Sequence, residues 1–87
     1  MEKKRFIVVV STVNYKDVLR TSIVYFEEWI EARAFALSYL AAYSNMDKTN
    51  RCEVNDDSIH FQLASSCANE SNPIRQLEVI CEKIQGE

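Results

Sequence analysis

The sequence predicts an α+β domain in the order ββαββα, a four-stranded antiparallel sheet with two helices packed on one face. Three observations carry that expectation. Two pairs of strand-like segments are each broken by a short polar turn, and a run of helix formers separates the pairs. An Asn-Pro step then introduces a last segment with apolar residues at helical spacing.

The first strand is read over Arg5–Val13, RFIVVVSTV, where β-branched residues fill both alternating faces, Phe6/Val8/Val10 and Ile7/Val9/Val13. A strand covered on both sides fits that pattern. Asn14 to Asp17 form a polar break of hairpin length, and Val18–Phe26 resumes the β character, so the two segments are expected to pair antiparallel. The basic start, Lys3-Lys4-Arg5 before an apolar run, mimics a secretion signal, but the run ends at Ser11 and lacks a small-residue cleavage site.

From Glu28 to Ser44 helix formers take over, with Glu27, Glu28 and Glu31 placed to offset the dipole at a helix start. Asn45 serves as the end signal, and Met46 to Asn50 are a polar connection. Arg51–Val54 and Ser58–Ala64 read as a second hairpin around Asn55-Asp56-Asp57, with Ile59, Phe61 and Leu63 alternating against His60, Gln62 and Ala64. After a loop over Ser65–Ser71, Asn72 and Pro73 read as cap and first residue of a second helix. Ile74, Leu77, Ile80, Cys81 and Ile84 share one helical face, and Gly86 ends it.

Length and composition bound the rest. Eighty-seven residues make one domain, 1–87, because two halves would each be too small to bury a core. With 47% hydrophobic and 26% charged residues, one Gly and one Pro, the chain is expected to fold into regular, packed elements. A net charge of -3 disfavours non-specific nucleic-acid binding. Nothing approaches the roughly 20 apolar residues of a membrane span, and the three cysteines, Cys52, Cys67 and Cys81, fit neither a redox pair nor a zinc knuckle. Cytoplasmic reduced thiols are expected, with Cys52 and Cys81 as apolar fillers and Cys67 in a polar loop.

No catalytic set emerges. A single glycine near the end excludes phosphate-cradling loops, and His60 has no Cys, Asp or Glu at metal-ligand spacing. Asp56-Asp57 and Glu27-Glu28 are explained by a turn and a helix start. The expectation is therefore a chain that is not an enzyme and takes no metal or cofactor.

The first helix suggests a partner instead. Trp29, Ala36, Leu37 and Leu40 form one apolar sector, and Ala32, Phe35, Tyr39, Ala42 and Tyr43 extend it beyond the width a sheet covers, leaving Glu31 and Ser38 as the clearly polar strip. Phe35, Tyr39 and Tyr43, with Ala32 and Ala36 permitting close approach, are the candidate protein-binding residues of an expected homodimer, with the outer sheet face as the alternative contact. The competing reading lays the tyrosines along the domain surface with their hydroxyls in water.

A second candidate surface is the sheet face opposite the helices. One pairing puts Val8, Val10, Val24 and Phe26 there beside His60 and Gln62. Used for nucleic acid, that face would be led by Lys3, Lys4, Arg5, Lys16 and Arg20. Small size, missing catalytic residues and surplus apolar surface look like the accessory proteins by which phages and mobile elements block a host factor, anti-CRISPR proteins among them. That likeness is one of style and rests on no motif.

Overall fold

The computed structural model describes residues 4–84. Its elements run β1 (Phe6–Asn14), β2 (Leu19–Phe26), α1 (Trp29–Ala42), β3 (Lys48–Val54), β4 (Ile59–Ala64) and β5 (Ile74–Lys83). The strands form one sheet in the order β2-β1-β5-β4-β3, with every neighbouring pair antiparallel. Helix α1 packs on one face and links the two outermost strands.

Both expected hairpins form. At the first, the Asn14 side-chain oxygen accepts from the N–H groups of Lys16 (2.8 Å) and Val18 (3.0 Å), a local closure that short polar side chains provide. Asp17 takes a φ of 64°, in the left-handed region that Asp enters more readily than branched residues do. Arg75 reaches across to pair with Asp17 and ties this turn to the start of β5. In the second half of the chain, Ser66 donates to Asp47 from both its backbone N–H and its hydroxyl, fastening the β4–β5 loop to the α1–β3 connection.

The expected four-stranded, two-helix architecture is corrected: the order is ββαβββ, and Ile74–Lys83 is a strand, not a second helix. Its sequence carries two periods at once. Leu77, Val79 and Cys81 alternate onto the core face and are buried, while Gln76, Glu78, Ile80 and Glu82 alternate onto the other. Ile80, counted as part of a helical stripe, belongs to the opposite face of the sheet. Pro73 was the misleading signal, since proline suits the entry to a strand as well as the first turn of a helix. Its carbonyl accepts from Tyr15 N–H at 2.8 Å, and β5 then pairs with β1 on one side and β4 on the other. A helix there would leave both neighbours with unpaired ladder edges. Gly86, expected to end that helix, lies outside the described residues.

The core lies between α1 and the sheet. Val8 and Val10, Leu77, Val79 and Cys81, and Ile59, Phe61 and Leu63 supply the strand side; Ala32 and Ala36 supply the helix side. Both alanines are fully buried, and their small side chains let the helix sit close to the strands. The larger residues fold down around them. Trp29 meets Phe6 at 5.5 Å between ring centroids, and Phe26, Phe35, Tyr39 and Tyr43 form a continuous ladder with spacings of 5.4, 5.5 and 6.2 Å. Most of the apolar excess of α1 is therefore used in closing the flanks of the core. The helix covers one face of the sheet, and the described residues place nothing on the other.

Candidate interaction surface

The register assigns the uncovered face residue by residue. Tyr25, Ile7 and Glu82 make one cross-strand row; Ile23, Val9, Ile80, His60 and Glu53 make the next. Thr21, Ser11, Glu78, Gln62 and Arg51 follow, and Leu19, Val13, Gln76 and Ala64 close the face. Its composition is divided. The β2–β1 side carries Leu, Ile, Val and Tyr around one hydroxyl pair, Ser11 and Thr21, whereas β5, β4 and β3 carry carboxylates, amides, His60 and Arg51 around Ile80. Leu19, Ile23 and Tyr25 on the outermost strand are 65%, 53% and 51% exposed. Neighbouring large apolar side chains left open to this degree mark an interaction surface more often than scattered ones do.

The polar half is ordered by one network. Arg51 lies 3.2 Å from His60 Nδ1, His60 Nε2 lies 2.8 Å from Glu78 Oε2, and Gln62 donates to the same oxygen at 2.6 Å. A guanidinium has no acceptor, so Nδ1 accepts from Arg51 and the ring proton sits on Nε2, donating to Glu78. The Gln62 and His60 hydrogen bonds, in that order, hold the Glu78 carboxyl below its ordinary range. Both imidazole nitrogens are thus committed, and neither faces a serine, threonine or cysteine that it would activate. The network fixes charge on the surface. Between it and the apolar field lies a shallow depression of about 220 Å³, lined by Ser11, Val13, Leu19, Gln62 and Glu78 among others.

Sequence reasoning missed this network because Glu78 was read into a helix. His60 and Glu78 are 18 positions apart, and only the β4–β5 register, which sets His60 against Ile80 and Gln62 against Glu78, brings them together. The face assignment also changes. Val8, Val10, Val24 and Phe26 lie on the helix side of the sheet, and His60 and Gln62 lie on the other. Pairing parity decides this: Val10 sits opposite Val79, which opposes Phe61, not His60.

The helix residues singled out above are separated by depth. Ala32 and Ala36 have no exposed surface, while Phe35, Tyr39 and Tyr43 are half-buried in the aromatic ladder. The basic residues are not gathered. Arg5 lies at one end of β1, bonded through its backbone to Phe26 and Ile84, and Lys4 lies beside it in sequence. Lys16 is on the turn at the other end, over the Tyr15 ring, roughly 30 Å away along an extended strand. Arg20 pairs with Thr12 on the helix side, and Lys3 lies outside the described residues.

Cys81 is buried, its thiol pushed up to about 11 mainly by burial, with the Glu82 charge adding to the effect. Cys52, expected as an apolar filler, is exposed on β3, where the helix does not reach, and Cys67 is exposed in its loop. Among the described residues no group of three or more His, Cys, Asp or Glu side chains is placed to hold a metal ion. Among them, too, no helix is long and apolar enough to cross a membrane.

No protein-family model, curated protein or solved structure matches the chain.

Proposed function

We propose that the chain is a non-catalytic protein-binding module that works as a homodimer. The observation that carries this reading is the uncovered apolar field on the β2–β1 side of the sheet, in which Leu19, Ile23 and Tyr25 stand more than half exposed. Roughly 25 cal/mol is gained per Å² of apolar surface removed from water, so a surface of this kind favours association. The beside-lying network of Arg51, His60, Gln62 and Glu78 supplies fixed charges that orient a contact more than they strengthen it. Of the two candidate contacts this favours the sheet face over the helix, because the aromatic residues of α1 are engaged in closing the core. Blocking another protein's surface, as small accessory proteins do, is one form such a role takes.

The test is solution mass by sedimentation equilibrium across a micromolar concentration series at low and high salt. Twice the chain mass of 10.1 kDa at both salts is expected, because apolar contacts are not screened. A species that stays at 10.1 kDa throughout would overturn the homodimer.

A further inference from the structure

Among the described residues nothing pairs with the outer side of β2, and its backbone pattern bears on how two copies would meet. Asn14 N–H donates to Val18 O, which makes these two a hydrogen-bonded pair of the β1–β2 ladder. The register runs unbroken to Phe6↔Phe26, and bonded pairs recur at every second residue, so Arg20, Ser22, Val24 and Phe26 turn their backbone groups toward β1. Leu19, Thr21, Ile23 and Tyr25 turn theirs outward. The side chains of the same four residues stand on the uncovered face, and all four are exposed. Donors, acceptors and apolar side chains are thus presented together along a strand with no bulge and no proline.

We propose that two copies pair antiparallel through β2 about a two-fold axis at Ser22, continuing the five-stranded sheet into one of ten strands. This rests on the homodimer reading and specifies its geometry. A two-fold axis through the sheet keeps the two uncovered faces on the same side only if each open-face residue meets another. With the axis at Ser22, Leu19 lies opposite the partner's Tyr25 and Thr21 opposite the partner's Ile23, and these pairs exchange backbone hydrogen bonds. Arg20, the strand's single charge, meets the partner's Val24, so like charges stay apart. Moving the axis to Ile23 would set Leu19 against the partner's Glu27, and moving it to Thr21 would set Tyr25 against the partner's Asp17.

Size is consistent with this occupant. Eight strand residues at about 3.4 Å each give an edge roughly 27 Å long. A sheet with one helix layer beside it is roughly 20 Å deep, so that edge offers on the order of 500 Å² per copy, or about 1,000 Å² in total, the lower bound for a specific interface. The product is a doubled uncovered face with the two apolar fields joined at its centre.

Two variants test the pairing. Thr21→Pro removes an outward N–H and leaves the β1–β2 bonds in place, a site where an edge strand tolerates proline. Ser22→Cys puts two thiols at the axis in a non-hydrogen-bonded pair, with Cα atoms about 4.5 Å apart, within disulfide reach. The expected result is a folded, monomeric Thr21→Pro protein, judged by circular dichroism and sedimentation. In a background carrying Cys52→Ser and Cys67→Ser, which removes the two exposed thiols, Ser22→Cys is expected to give a covalent dimer under oxidised glutathione that the background chain does not form. A Thr21→Pro protein that remains dimeric would overturn the β2 contact while leaving self-association standing. An unaltered chain that is monomeric would overturn both. Should Thr21→Pro fail to fold, absence of the Ser22→Cys crosslink in a dimeric protein would still overturn the pairing.

Discussion

The two edges of the sheet are built differently. At β3 the ladder to β4 is interrupted between Thr49 and Arg51, with Asn50 as the extra residue of a bulge, and Lys48, Arg51 and Glu53 crowd the strand with charge. Asn55 N–H donates to Ser58 O, which sets the alternation and leaves Cys52 and Val54 as the outward-facing positions beyond the bulge. Bulges and charges of this kind keep an edge from adding another strand. At β2 the ladder is regular over eight residues, and the outward positions are Leu19, Thr21, Ile23 and Tyr25. One edge is closed by its chemistry, and the other is left available. The contrast teaches that an exposed edge is informative when the same molecule shows how it protects its other one.

The protection at β3 can be removed directly. Deleting Asn50 lets Thr49 and Arg51 pair in sequence with Leu63 and Gln62 and straightens the edge. A dimer joined at β2 would then carry an available edge at each end, and growth into larger species is expected, read by light scattering against concentration. A variant that stays dimeric would show that the charges of β3, not its bulge, protect it.

Both hairpins and the first helix were legible because their signals are local: β-branched runs, Asn and Asp in the turns, and acidic residues before a helix. The last strand was not. Its residues satisfy a 3.6 and a 2.0 period together, and the choice between them is made by β1 and β4, whose open edges lie more than ten residues away in sequence. That one misreading removed a strand from the sheet and hid Glu78 from His60. The surplus apolar surface was legible as an amount, with the first helix and the outer sheet face as its two candidate places. On α1 the small Ala32 and Ala36 face inward and the aromatics close the flanks, so the surplus, apart from Ile30 at 79% exposed on the helix, appears on the sheet.

Thiol reactivity separates the two edges while leaving the fold intact. Cys52 stands at the β3 edge, Cys67 in an exposed loop, and Cys81 in the core with its thiol pushed up to about 11. With the ordinary value at 9.0, the thiolate fraction of Cys81 near pH 8 is about a hundredfold lower, before burial blocks access. Two thiols are expected to react promptly with an aromatic disulfide reagent and the third only on unfolding, in the dimer as in the monomer. Protection of Cys52 on dimerisation would place the contact at β3 and reverse the assignment of the two edges.

The charge network between the two edges contributes little to stability. The Glu78 carboxyl is held below its ordinary value of 4.5, first by Gln62 and then by His60, so the folded state favours its charged form. The stabilisation is fully present above that unfolded value and is lost as pH falls through the lower folded one. Glu78 and His60 are 35% and 25% exposed, and solvent screening keeps the contribution to about 1 kcal/mol or less. In urea titrations, Glu78→Gln is therefore expected to be slightly less stable at pH 7 and to converge with the unaltered chain in acid, where both side chains are neutral. An offset that persists unchanged into acid would mean that Glu78 contributes through packing and its amide-like hydrogen bonds, and that the polar half of the face does not depend on its charge.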